Sequence, residues 1–376
     1  MRFASIFWPA AAVALFAVLA LLDASAVKAE ATRLLPVLLF AASMSALVNL
    51  AARVQLFEWL VTALERGTAN REVVFAGFLM LAVASTVFFS LDTTAVMLTP
   101  LAVQLGSRFR LPLPAAALSV VWIANLASLP LPVSNLTNLL ALSGGAFSSN
   151  HDYIRAAAAP AAVAIAVAVA ASYCARLIYR AAAPSTNEAP PTVARPTPAL
   201  VVLSFTVAAL LTPVPYWLTG VVAAVAMWLA VGPAGRREGA ASLIPWHALL
   251  LAATLSAAAS LALHLETVAA AVGHLDGAHP GAIAAAGAVA ANGINNLPAF
   301  LALEPAAGSP AGVMALLIGV NVGPVVTPWA SLATLLWADQ LKRAGAAVPW
   351  SHFILWGAVL APAAVTAATA ALLATG

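Results

Sequence analysis

The sequence predicts an all-α, polytopic membrane protein of about ten to eleven transmembrane helices at roughly 20 residues per crossing. The helices are expected to form two inverted repeats, each with a broken helix. Three observations carry this. Of 376 residues, 63% are hydrophobic and 8% charged, where a soluble domain has about 25% charged. Apolar runs recur from end to end, and mean hydropathy is +1.00. One motif also returns after a constant 196 residues.

The same composition excludes several classes. With 16 Lys and Arg and 13 Asp and Glu, the chain cannot solvate a globule of this size, so a soluble enzyme is ruled out. Disorder needs low hydrophobicity and high charge. The net charge of +3 has no basic stripe behind it, which argues against nucleic acid. The single cysteine, Cys174, excludes a disulfide framework and a CxxC redox pair and reads as an inert packed thiol.

Apolar runs lie at Ile6–Leu22, Leu34–Ala51, Val73–Phe89, Leu113–Ala127, Ile154–Leu177, Leu200–Leu211, Tyr216–Val231, Ala248–Leu263, Gly281–Ala291, Gly312–Val320 and Phe353–Leu373. Arg2, the first run and Ala24-Ser25-Ala26 imitate a signal peptide. At 17 residues, however, Ile6–Leu22 exceeds the usual apolar core of a signal, so an uncleaved first helix is expected. Gln55–Arg66 mixes Phe57, Trp59, Leu60 and Leu64 with Glu58, Glu65 and Arg66, the pattern of an interfacial amphipathic helix. The polar, proline-rich stretch Ala183–Pro198 reads as a linker. It divides the chain into halves 1–180 and 199–376, joined by 181–198.

Positive residues set orientation. With Arg2 in the cytoplasm, Arg53, Arg66, Arg71, Arg108, Arg110, Arg176, Arg180, Arg195, Arg236 and Arg237 fall inside, and Lys28, Arg33 and Arg155 outside. Lys342 and Arg343 fall inside if the second half repeats the first upside down. The expected location is the plasma membrane, multi-pass, with a cytoplasmic N-terminus. Trp8, Trp217, Trp246 and Trp350 near span ends read as interfacial anchors.

The inversion leaves a sequence trace. The stretch from Asn125 to Leu140 lies over that from Asn321 to Leu336 without a gap, and Asn, Pro, Leu, Leu and Leu coincide. A weaker counterpart aligns Ser90-Leu-Asp92 with Ile294-Asn-Asn296. Repeats with breaks in corresponding places point to a secondary transporter with its site at the repeat interface. Pro130, Pro132, Gly323, Pro324 and Pro328 interrupt helices within the membrane. The freed backbone groups must then face protein or a wet cavity. Ser134, Asn135, Thr137, Asn138, Thr327, Ser331 and Thr334 add polar groups there, and half-helix N-termini favour an anion or a polar oxygen ligand.

At these residues the chain resembles the ion transporter superfamily and, within it, the bacterial arsenite efflux pumps. The similar stretches are FFSLDTTAVMLTPLAV (Phe88–Val103), ANLASLPLPVSNLTNLLA (Ala124–Ala141), NGINNLPAFL (Asn292–Leu301) and NVGPVVTPWASLATLLW (Asn321–Trp337). Together they extend over nearly the whole chain. The resemblance implies an elevator-type or rocking antiporter built of inverted repeats, each with a re-entrant hairpin, and Ser134-Asn135 looks like the Ser-Asn-Thr hairpin tip of more remote dicarboxylate and sulfate carriers, interrupted by Leu136. There are departures from the arsenite pumps. Their pattern often has Asp where this chain has Asn125 and Asn321, Asn-Asp where it has Leu91-Asp92, and Gly where it has Ala330.

Each residue also has a plainer reading. Asp92 is the one acidic residue at a mid-membrane break, functional by default, yet Asp also caps helices well. Asn125 and Asn321 cap broken helices or line the site, and Asn295 and Asn296 start a helix ahead of Pro298 or touch ligand. Ser134, Asn135, Thr137 and Asn138 share about two helical turns, so about half are expected to bond backbone carbonyls instead. Glu304 reads as solvated at a membrane surface. His247 and His264 lack partners at metal-ligand spacing.

The expected function is ion-gradient-driven efflux of arsenite or antimonite. Its substrate-binding residues would be Asn125, Ser134, Asn135, Thr137, Asn138, Asn295, Asn296, Asn321, Thr327, Ser331 and Thr334, with Asp92 coupling to a proton or sodium. The alternative is a proton- or sodium-coupled carrier of dicarboxylate, sulfate or phosphate. A membrane enzyme is a remote reading, because the motifs hold no His and no acidic cluster for triad or metal chemistry. No cofactor, metal or nucleic acid is expected. A homodimer is compatible with the sequence, and so is a separate ATPase subunit, since no GxxxxGK[ST] motif is present.

Overall fold

The computed structural model describes residues 2–67, 70–109, 111–179, 193–232 and 239–375, and among them every regular element is helical. The expectations for Arg110, Arg180, linker residues 181–192, Arg236 and Arg237 lie outside the described residues. So do those for the side chains of Arg2, Trp8, Glu65 and His247.

The first half opens with α1 (Arg2–Leu22) and α2 (Ala24–Arg53), separated by Asp23, which accepts from the amides of Ser25 and Ala26 and caps α2. Gln55 turns the chain at φ 56 into α3 (Leu56–Gly67), whose Leu56, Phe57 and Val61 are buried. This is the amphipathic segment expected from the sequence. There follow α4 (Arg71–Phe89), α5 (Leu91–Phe109), α6 (Leu113–Leu126), α7 (Leu136–Ser143) and α8 (Asn150–Ile178). After the linker come α9 (Thr197–Leu210), α10 (Tyr216–Ala230), α11 (Trp246–Ala262) and α12 (Glu266–Gly273). Last are α13 (Pro280–Ile294), α14 (Asn296–Leu303), α15 (Pro310–Val322), α16 (Leu332–Arg343) and α17 (Trp350–Thr375). Among the described residues, four helices are long and apolar enough to cross a membrane, and seven more are apolar at 10–17 residues.

The series α4–α8 and α13–α17 are the two repeats. Both hairpins turn on one residue with the same rare backbone, Ser90 at φ 87, ψ 158 and Asn295 at φ 89, ψ 150. This places Ser90 opposite Asn295, one residue away from the register expected from sequence. It also shows that Asp92 is not the cap of α5: Ser90 holds that position, its Oγ 3.5 Å from the Thr93 amide. The broken helices keep the 196-residue offset. Leu126 and Val322 end the first halves, and Asn135 and Ser331 cap the second.

Contacts at the helix ends show the inversion. Glu72 at the start of α4 pairs with Arg176 at the end of α8, and Tyr179 stacks 5.3 Å from His352 at the start of α17. These ends therefore share one face. On the other face Arg33 of α2 pairs with Glu304 just after α14 and donates to Leu140 O near the end of α7 (3.0 Å). Asp276, ahead of α13, lies beside Gly308 at the same end. The α4–α5 hairpin thus enters from the Glu72 face and α13–α14 from the Glu304 face, with α6–α7 and α15–α16 running in opposite directions.

Two sequence expectations are corrected here. Glu304 is not solvated; its side chain is 15% exposed, because the Arg33 guanidinium draws it inward. Cys174 is exposed rather than packed, since it lies on the outward side of α8.

The helices sort into two bundles that cut across the sequence halves. α2 packs along α10, α1 against α11 and α9 against α10, forming an outer bundle. The repeats α4–α8 and α13–α17 form a core bundle in which α8 packs on α17, α13 on α15 and α16 on α5. Glycine permits one close crossing: a Cβ on Gly319 of α15 would overlap the Ala284 carbonyl of α13.

Candidate functional site

The two breaks, residues 127–135 and 323–331, each meet the hairpin tip of their own repeat. Ser134 Oγ donates to Val87 O at 2.7 Å, and Asn295 Nδ2 to Trp329 O at 2.8 Å. The Asn296 amide donates to Ala330 O at 2.8 Å. Tyr153 of α8 fixes the first break through Leu129 O (2.8 Å). Trp337 of α16 reaches across the repeats to Ala117 O of α6 (2.8 Å).

Between the repeats lies a buried amide cluster whose orientation is forced, because an amide offers donors at one end and acceptors at the other. Asn138 Nδ2 donates to two backbone carbonyls, Ser128 O (2.7 Å) and Leu131 O (3.0 Å). Its Oδ1 therefore faces Asn321, which donates to it through Nδ2 at 2.7 Å. Asn321 Oδ1 is left as an acceptor and receives Thr137 Oγ1 (2.7 Å) and Asn135 Nδ2 (2.9 Å). Asn135 Oδ1 is occupied in turn by the Thr137 amide, which caps α7. Of the four polar residues around α7, Ser134 and Asn138 bond backbone carbonyls, while Asn135, Thr137 and Asn138 all meet Asn321 across the repeats.

The mirror position is different. Asn125 Nδ2 donates to Val121 O within its own helix (2.8 Å), and its buried Oδ1 has no partner. By the repeat, Ser331 and Thr334 correspond to Asn135 and Asn138, but they bond each other at 3.2 Å and cap α16. Asn125 and Asn321 are nevertheless joined through Ser128, whose Oγ donates to Asn125 O (2.7 Å) and accepts from Asn135 (3.4 Å).

Elsewhere, Thr327 donates its hydroxyl to Asn292 O (2.7 Å). Asn295 caps α14, whereas the buried Asn296 side chain makes no hydrogen bond among the described residues. Asp92 sits in the first turn of α5 with Oδ1 buried and unpartnered. Among the described residues no Arg, Lys or His hydrogen-bonds to the amide cluster. Among the described residues no group of three or more His, Cys, Asp and Glu could hold a metal ion.

Sequence reasoning missed Asn292. Its Oδ1 accepts the amides of Val326 and Thr327 (both 3.1 Å), and its Nδ2 donates to Ala288 O (2.8 Å) and Gly323 O (2.9 Å). The available signal was a third Asn in NGINN, one turn ahead of the tip.

Two family models match this chain. That of the citrate transporter covers residues 3–313, and that of the arsenical pump membrane protein covers residues 257–373. Both families lie in the ion transporter superfamily. No curated protein matches the chain. The second match contains the whole second hairpin and break, the first the whole first repeat. The longer match takes in more than four-fifths of the sequence, and with the inverted hairpins and paired breaks it identifies the chain as a secondary membrane transporter belonging to the citrate transporter family.

Proposed function

We propose that this transporter exports a small, uncharged oxyacid, arsenite or antimonite first, and that the solute binds between the two breaks. One observation carries the reading: Asn125 Oδ1, a buried acceptor, has no partner, while the side-chain nitrogens of Asn125, Asn135, Asn138 and Asn321 each donate to protein. An acceptor suits a trihydroxide and repels an anion, and no cationic side chain stands in the cluster to offset that repulsion. In this reading Asn125 and Asn296 touch the solute. Ser134, Asn135, Thr137, Asn138, Asn295, Asn321, Thr327, Ser331 and Thr334 shape its walls. Asp92 carries the coupling proton, or a sodium ion. The halves 1–180 and 199–376 act as inverted units across the plasma membrane with the N-terminus inside.

A second reading, a citrate-like carboxylate, is favoured by the family match over residues 3–313. Its donors would be the Asn296 side-chain amide and the backbone amides that open α7 and α16, those of Leu136 and Leu332. Everted membrane vesicles with an imposed proton or sodium gradient separate the two. Gradient-dependent accumulation of arsenite and not citrate is expected; accumulation of citrate alone would replace the first reading with the second.

A further inference from the structure

We infer that Asn292 is a positioning residue for transport, clamping the second break to the second hairpin so that the two move as one piece; the inference rests on the breaks being the solute site. The geometry carries it. Four hydrogen bonds run from one side-chain amide to Ala288, Gly323, Val326 and Thr327, and the Asn292 carbonyl takes a fifth from Thr327 Oγ1. The clamp spans residues more than thirty positions apart and occupies both ends of the amide. It holds the stretch where α15 has lost its helical bonds and where Val325 O is wedged against Gly357 of α17. Backbone groups freed in a membrane must find such partners.

The first repeat solves the same problem with other residues. Asn138 bonds the carbonyls of the first break, and Ser134 ties that break to Val87 of the hairpin. Asn138 also meets Asn321, so the first break is coupled to the opposite repeat, while Asn292 bonds only within its own. The second break is therefore held by a device separable from the amide cluster.

The test uses the full chain in proteoliposomes and nanodiscs, with arsenite and citrate as probes. In Asn292→Asp, an ionised carboxylate would face Ala288 O and Gly323 O, whereas the protonated acid restores a donor; no ionisable side chain bonds the amide among the described residues. Transport relative to wild type at the same pH should fall roughly thirtyfold at about pH 8, as expected for two lost hydrogen bonds of about 1 kcal/mol each, and recover in part at about pH 6, where the acid restores one donor. In Asn292→Leu, hydrogen exchange should accelerate in the peptide covering 321–331 and stay unchanged over 127–135. Equal transport by Asn292→Asp at both pH values would overturn the inference, as would loss of folded protein in both variants, which would make Asn292 a folding residue. The exchange readout needs no solute, so a wild type that carries neither probe would remove the proposed function and leave the clamp standing.

Discussion

Asn125 and Asn321 occupy equivalent positions, yet the structure assigns them opposite consequences on truncation. Asn321→Ala removes three bonds between repeats, those from Asn135 and Thr137 and that to Asn138. Asn138 cannot turn to compensate, because two carbonyls hold its other end. Hydrogen bonds between membrane helices are worth about 0.6 kcal/mol on average and up to about 1.7, so the loss should be roughly 2–5 kcal/mol. Asn125→Ala removes one bond to a carbonyl of its own helix and strands nothing, a change of about 1 kcal/mol or less. Thermal unfolding of the detergent-solubilised protein, followed by size-exclusion chromatography, reads the first difference. Arsenite transport at equal folded amounts reads the second, with Asn125→Ala folded but inactive. Equal melting of the two variants would refute the assigned orientation of the cluster, and full transport by Asn125→Ala would refute the role of its free acceptor.

Asp92→Asn should leave folding intact, because Oδ1 bonds nothing, and should abolish the response of transport to an imposed pH gradient. An unchanged response would move the coupling elsewhere. Glu304→Ala strands the Arg33 guanidinium between the outer bundle and α7 and should cost about 2 kcal/mol, between a surface and a fully buried pair; an unchanged melting temperature would contradict it. Ser25 and Ala26 hold the Asp23 carboxyl below its ordinary value through hydrogen bonds. A depressed pKa contributes stability that is present at neutral pH and lost as pH falls through the lowered value. Asp23→Ala should therefore melt earlier at pH 7 but like wild type in strong acid, and an equal deficit at both would refute the cap's ionic part. Gly357→Ala would drive a methyl group into Val325 O; reduced transport is expected, and unchanged transport would show that the second break tolerates displacement.

Composition alone was enough to establish a membrane protein, because 8% charged residues cannot solvate this many apolar ones. The 196-residue offset put both breaks in corresponding stretches, because prolines and glycines cluster there, whereas the isolated Pro36, Pro100 and Pro160 stay inside helices. The hairpin register was off by one, because Ser90 and Asn295 hold a positive-φ backbone where a glycine would have marked the turn. Nor does sequence distinguish Asn125 from Asn321. Which amide is saturated and which keeps a free acceptor depends on what the opposite repeat brings within 3 Å, and Asn135, Thr137 and Asn138 come from nearly two hundred residues away. Asn292 and the Arg33–Glu304 pair were hidden for the same reason: their partners are distant in sequence and are brought together only when the helices pack. Local chemistry determined where the helices start, stop and break; the tertiary structure alone decided which polar groups meet.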